Sequence, residues 1–479
     1  MAARVAIALL ATLLVAGAGD RAHGAPLRAN DGEWLAYGHD NQLDNAVVSP
    51  TLRPGTVPDL GEQWRAQLDG LVVASPLYAE PTVDGRRAGV VYEATENGSV
   101  FALAAGDGHV LWQQTTATTP ACDTTFGISS TGAIDKSRNA LYEIGADGQL
   151  HAFDLATGDE APGFPLDLIA DPSTQYVWGG LRIVGDTLYV PYSSYCDDIS
   201  AGDQLADGGI VAVSLRDPTS RTVFDSVPGA GNGGGVWGYG GVSVERDGSF
   251  LFAGVGNSHS YDPACDCDVD NAPFGDRLIK LTPDLRVVDS NFPPGIETQS
   301  DQDFGSAPVL FQPHGCPPLA AANNKNGVLY LWNRNDLAAG PIAGFGVGDA
   351  EAPFVGQPSW STRLQTLFDA EARVPQSDTK DGNGVVAIKA TYLGCHFDEI
   401  WRTSIGDGNQ APPLVVGDVV LAGGGSEGLY ALDGRTGDVL WAAPTEGEST
   451  FSPLIEARRT LYAPVGDGVR AYSLSAGGR

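Results

Sequence analysis

The stretch VVYEATENGSVFALAAGDGHVLW, residues 90–112, decides the fold. A β-branched run leads into the turn Glu96-Asn97-Gly98, a second apolar run follows, and a Gly-Asp-Gly turn delivers a tryptophan. Alternating strands with Asn-Gly and Gly-Asp punctuation predict hairpins rather than helices. The same order returns near the end of the chain as VVLAGGGSEGLYALDGRTGDVLW, residues 419–441, closing on Trp441 as the first copy closes on Trp112.

Weaker copies begin at Ala140, Thr187, Phe250, Leu319, Gly384 and Thr460, so the chain carries roughly eight units at a period of about 40–50 residues or longer. A unit of that length yields a four-stranded sheet, and sheets arranged radially hide most of their edges. The sequence therefore predicts an all-β propeller, with eight four-stranded blades in a single domain over 25–479. The opening segment, from Glu33 to LGEQWRAQL at 60–68, lacks the repeat and is expected to close the ring by pairing with the last blade.

Composition agrees. The 479 residues include 63 Gly, 31 Pro and a single Met, which suits many short strands and tight turns better than long helices. A formal net charge of −31 opposes binding to phosphate backbones or anionic lipid. Residues 1–24 read as a secretory signal peptide: Arg4, an apolar run from Val5 to Val15, then small residues up to Gly24. That apolar core is too short to span a bilayer, so the expected location is secreted or periplasmic.

Export places the six cysteines in an oxidising compartment. They allow fifteen pairings, of which Cys122 with Cys196 and Cys316 with Cys395 are expected. No CxxC or CxxCH spacing offers a haem or a four-cysteine zinc site. The histidines show no HxxH or HExxH spacing. Nor does a G-x-S-x-G elbow, a Walker loop or a dinucleotide fingerprint occur, which leaves hydrolase and nucleotide chemistry without support.

Four ordered segments carry a resemblance: W-x-x-Y-G-H-D at 34–40, W-G-Y at 237–239, G-V-G-N at 254–257 with D-x-D-F at 301–304, and N-K-N-G at 324–327. With the A-L-D-x-x-T-G-x-x-x-W turn at 431–441, they resemble the quinoprotein alcohol dehydrogenase propellers, which use pyrroloquinoline quinone (PQQ). The resemblance implies a floor for the quinone at Trp237, a calcium ligand at Asn257, a catalytic base at Asp303 and a cation against the quinone oxygens at Lys325. A flat indole suits a planar quinone, and an amide oxygen suits calcium.

Two positions depart from that pattern. The family's adjacent cysteines are represented by Cys122 alone in A-C-D-T (121–124), and its calcium-binding glutamate falls near Gln204. A separate acidic run sets Asp266, Asp268 and Asp270 at alternate positions, like the start of a calcium loop, but the twelfth position is Arg277, so it is no EF-hand. It reads as a loose calcium site or an exposed acidic loop. The function implied is an exported dehydrogenase that oxidises an alcohol or sugar and passes electrons to a separate acceptor. The alternative is a propeller without chemistry that binds a protein partner as an assembly scaffold.

Overall fold

The computed structural model describes residues 32–49, 51–122, 124–195, 206–228, 233–258, 260–262, 267–269, 273–296, 302–349, 357–371, 383–391, 394–406, 411–445 and 452–474. The first blade pairs Leu77–Ala79, Val90–Ala94, Ser99–Ala104 and Val110–Thr115 in that order, every neighbour antiparallel. Seven further sheets repeat the pattern at 133–167, 182–225, 243–291, 309–346, 359–404, 414–443 and 455–474, making an eight-bladed propeller. Among the described residues there is no α-helix, only the 3-10 turns Val57–Asp59 and Leu337–Ala339.

The tryptophan and glycine of the repeat explain each other. Trp112 of blade one donates its indole N–H to Leu155 O of blade two at 3.2 Å. Trp64, Trp401 and Trp441 do the same across three other junctions, to Ala105 O, Gly434 O and Leu60 O. The indole lies on the glycine of the receiving turn: a Cβ on Gly158 would stand 2.7 Å from the Trp112 ring, and one on Gly108 2.5 Å from the Trp64 ring. Both glycines also have φ near +75°, at +74° and +76°, where a side chain is strained. The Gly in the Gly-Asp turns is thus a docking plate for the previous blade.

The ring closes as expected in one part and differently in another. Leu60–Gln67 pairs antiparallel with Gly468–Leu474 and completes blade eight, so the two ends of the chain share one sheet. Residues 33–47, expected to join that blade, instead run around the inside of the channel and meet the inner strands of blades one to seven in turn. Trp34 exchanges backbone bonds with Tyr78 at 2.9 and 2.8 Å, and Leu35 O accepts from Ile134. Arg182 of blade three reaches in to Tyr37 O and Asp40 O at 2.8 and 3.1 Å. Asn41, Gln42, Asp44 and Asn45 carbonyls then accept from Val244, Leu310, Trp360 and Val415. Inner strands facing a channel have no fifth neighbour, so their free N–H groups need a partner. The entry segment supplies it and plugs the channel.

Cys316 and Cys395 are bonded with Cα atoms 5.1 Å apart, linking blades five and six as expected. Cys122 is also disulfide-bonded. Its expected partner, Cys196, lies outside the described residues, as do the signal peptide and Gln204.

Candidate functional site

Two kinds of connection emerge at one end of the channel: loops entering the inner strands and turns between second and third strands. The first kind presents Trp178, Trp237 and Asp303, the second Ser193 to Tyr195, Asn257 and Lys325. Together with Gly233 and Gly235 they line a single cavity of about 250 Å³. Below it, Tyr37 and Leu43 of the entry segment join Val73, Tyr239 and Ala307 in an apolar cluster on which Trp178 and Trp237 rest. The plug is therefore also the foundation of the site.

At its centre three side chains satisfy one another. Trp237 Nε1 donates to Asp303 Oδ2 at 2.8 Å. Lys325 Nζ stands 3.1 Å from Asp303 Oδ1 and 4.6 Å from the centre of the Trp237 ring. Lys325 N also donates to Asp303 O at 2.9 Å, fixing the two loops to each other. Asp303 and Lys325 are 3% and 8% exposed, so the pair sits where water screens it little. Glycine makes the approach possible: a Cβ on Gly256 would lie 2.9 Å from Asp303 Oδ2 and 3.1 Å from Trp237 Nε1.

The structure thus brings Trp237, Asn257, Asp303 and Lys325 to one cavity from the loops of blades four and five. Ser260–Asp262 pairs with Cys267–Val269 as a backbone hairpin, so Asp268 lies on a strand there. Asp266 and Asp270 lie outside the described residues. Trp178 and Tyr195 were missed by the sequence reading, though one signal was available: V-W-G at 177–179 repeats V-W-G at 236–238, each just ahead of an inner strand.

The cavity suits a flat anionic ring, with aromatic surfaces, one ammonium, an amide and two serine hydroxyls. It suits calcium less well on the described residues. Asn257 and Asp303 are its two oxygen-rich side chains apart from the serines, whereas calcium takes six to eight oxygens. No group of three His, Cys, Asp or Glu able to hold a metal occurs among the described residues.

Solved structures share this architecture. A quinohemoprotein alcohol dehydrogenase from Pseudomonas putida superposes with a TM-score of 0.71 at 16% identity, over 95% of this chain and 81% of its own. A europium-containing methanol dehydrogenase gives 0.70 at 14%, over 94% and 99%. The shared fold is the eight-bladed propeller. BamB from Moraxella catarrhalis has it too, at 0.55 and 14% identity, over 86% and 99%. Residues 59–167 and 397–479 match the family model described as outer membrane protein assembly factor BamB. No curated protein matches the chain in sequence. Those two matched segments contain all four docked tryptophans named above, Trp64, Trp112, Trp401 and Trp441. The cavity lined by Trp237, Asn257, Asp303 and Lys325 lies between them, in the less regular blades.

Proposed function

We propose that this chain is an exported quinoprotein-type dehydrogenase, a single domain over 25–479 that oxidises an alcohol or sugar and delivers electrons to a separate acceptor. The observation that carries the reading is the meeting of Trp237, Asn257, Asp303 and Lys325 in one cavity. They belong to different loops, and a structural staple needs no such mixture of base, cation, amide and flat ring.

In this reading Trp237, Lys325 and Asn257 would hold PQQ, the first by ring contact and the other two through its acidic oxygens. When bound, the quinone supplies a two-electron acceptor for hydride. Asp303 takes the hydroxyl proton of the substrate, its carboxylate kept in place by Trp237 Nε1. Lys325 pairs with Asp303 Oδ1 and would also serve the ligand's acidic oxygens. Calcium at Asn257 would polarise a quinone carbonyl, and the run Asp266, Asp268 and Asp270 would be a separate, looser calcium site.

The test is the absorbance spectrum of the purified protein mixed with PQQ, with and without calcium, followed by dye reduction with a panel of alcohols and sugars. A spectral shift and turnover support the reading; neither would remove it. One observation favours a second reading, a binding scaffold: the family model that matches is described as an assembly factor, and it matches the blades with docked tryptophans rather than the site.

A further inference from the structure

Asn323 of blade five and Asp369 of blade six meet across a junction that is not one of the four closed by the docked tryptophans named above. Both lie on the second strands of their blades, Leu319–Asn324 and Thr366–Glu371, and they are 2% and 0% exposed. Asn323 Nδ2 donates to Asp369 Oδ1 at 2.9 Å. That bond fixes which way the amide points, because a flipped Asn323 would set its own oxygen against the carboxylate. Two buried oxygens on these touching groups, Asn323 Oδ1 and Asp369 Oδ2, then accept no hydrogen bond among the described residues.

A second carboxylate stands beside them. Glu371 follows Asp369 by two residues on the same strand, so it projects from the same face, and it too is wholly buried. Arg402 Nη1 pairs with Glu371 Oε1, while Arg402 Nη2 donates to Glu399 Oε2 at 3.0 Å and to Gly346 O at 2.9 Å. One guanidinium thus serves Glu371 and Glu399, and Asp369 has an amide for a partner rather than a cation. A water molecule could donate to both orphaned oxygens, but it would leave the carboxylate charge buried and uncompensated. A hard metal cation satisfies the oxygens and the charge together. We propose that the junction of blades five and six holds such a cation, bound by Asp369 Oδ2, Asn323 Oδ1 and Glu371. The site is separate from Asn257 and from the acidic run at 266–270. It ties the two blades at the end of the strands opposite the disulfide Cys316–Cys395, and it steadies the turn after Asn324 that carries Lys325. Without the cation a proton on Asp369 stands in its place.

The experiment uses the full chain without PQQ, so it stands whatever becomes of the dehydrogenase reading. The protein is dialysed at about pH 8 against EDTA and choline chloride, then given CaCl2, MgCl2 or NaCl at matched ionic strength while Tm is followed. At least one of the three metals is expected to raise Tm by about 2–4 °C over the choline control. Asp369→Asn and Asn323→Leu should each abolish that gain, and equilibrium dialysis against the same metal should show an ion lost from each variant. Asn257→Ala and Asp268→Asn should keep it, which separates this site from the cavity and from the acidic run. Should Asp369→Asn fail to fold, Asn323→Leu carries the same expectation. A wild type that gains nothing from any of the three metals overturns the proposal and leaves a buried water or a proton at the junction. A gain that survives in Asp369→Asn, or one that disappears in Asn257→Ala or Asp268→Asn alone, overturns it as well by placing the ion elsewhere.

Discussion

The indole N–H of Trp237 donates to Asp303 Oδ2 at 2.8 Å, so the flat surface and the carboxylate of the site are set by one bond. Asp303 is 3% exposed and its other oxygen faces Lys325. A buried charge is tolerated only while its partners remain.

Lys325→Met removes the ammonium and leaves Asp303 with one N–H. Breaking a buried pair from one side costs about 3–5 kcal/mol, so urea unfolding should show a loss of that order. The double variant Lys325→Met with Asp303→Asn should lose less than the sum of the two single changes. Additive losses would mean that the pair does not act as a unit.

Asp303→Asn keeps the shape of the side chain but cannot accept a proton. Under the proposed function PQQ should still shift the absorbance spectrum, while dye reduction falls by about 100-fold or more. A variant that turns over like the parent removes Asp303 as the base.

Arg182 fastens the plug from blade three through two backbone carbonyls and is almost fully buried. Arg182→Met should cost about 3 kcal/mol, from two charge-assisted bonds at roughly 1.5 kcal/mol each. Because Tyr37 lies in the cluster under Trp237, the native fluorescence of that tryptophan should change as well. Lost stability without any spectral change would separate the plug from the site.

The parts legible in the sequence are those fixed within a blade or across one junction. Trp112 on Gly158 is such a part: a ring, a left-handed glycine and a single carbonyl, repeated often enough to be counted. The meeting of Trp237, Asn257, Asp303 and Lys325 was legible only through ordered motifs, because side chains from separate loops carry no mutual spacing. The entry segment was not legible. Its backbone has no hydrophobic period, its His39, Leu43 and Asn45 take positive φ values of 72°, 61° and 48°, and seven different strands hold it. Trp178 failed for another reason: its V-W-G resembles a turn until the cavity shows where the ring goes.

Acids buried between blades set the pH dependence. Asp369 is wholly buried, accepts from Asn323 Nδ2 at 2.9 Å, and is pushed up to about 7, first by burial and then against the help of that bond; Glu371 raises it and Arg402 lowers it. Glu93 and Glu143 hold the corresponding place in blades one and two, or nearly so, and burial pushes both well above the usual carboxylate range. Asp40 in the plug is raised to about 6 by burial and by Asp44. In each the folded state holds its proton more tightly than the unfolded chain does. Their stabilisation is complete below about pH 4, the unfolded value, and is lost as pH rises through the folded one. The lowered, half-buried carboxylates such as Asp186 and Asp418 act in the opposite direction, losing stability below that window. Tm should therefore fall steadily from about pH 5 to pH 8. Asp369→Asn keeps the side chain's shape and needs no proton to remain neutral, so its Tm should vary less over that range and exceed the parent's at pH 8. A parent Tm that rises between pH 5 and pH 8, or an Asp369→Asn profile parallel to it, would show that these acids are ionised in the fold.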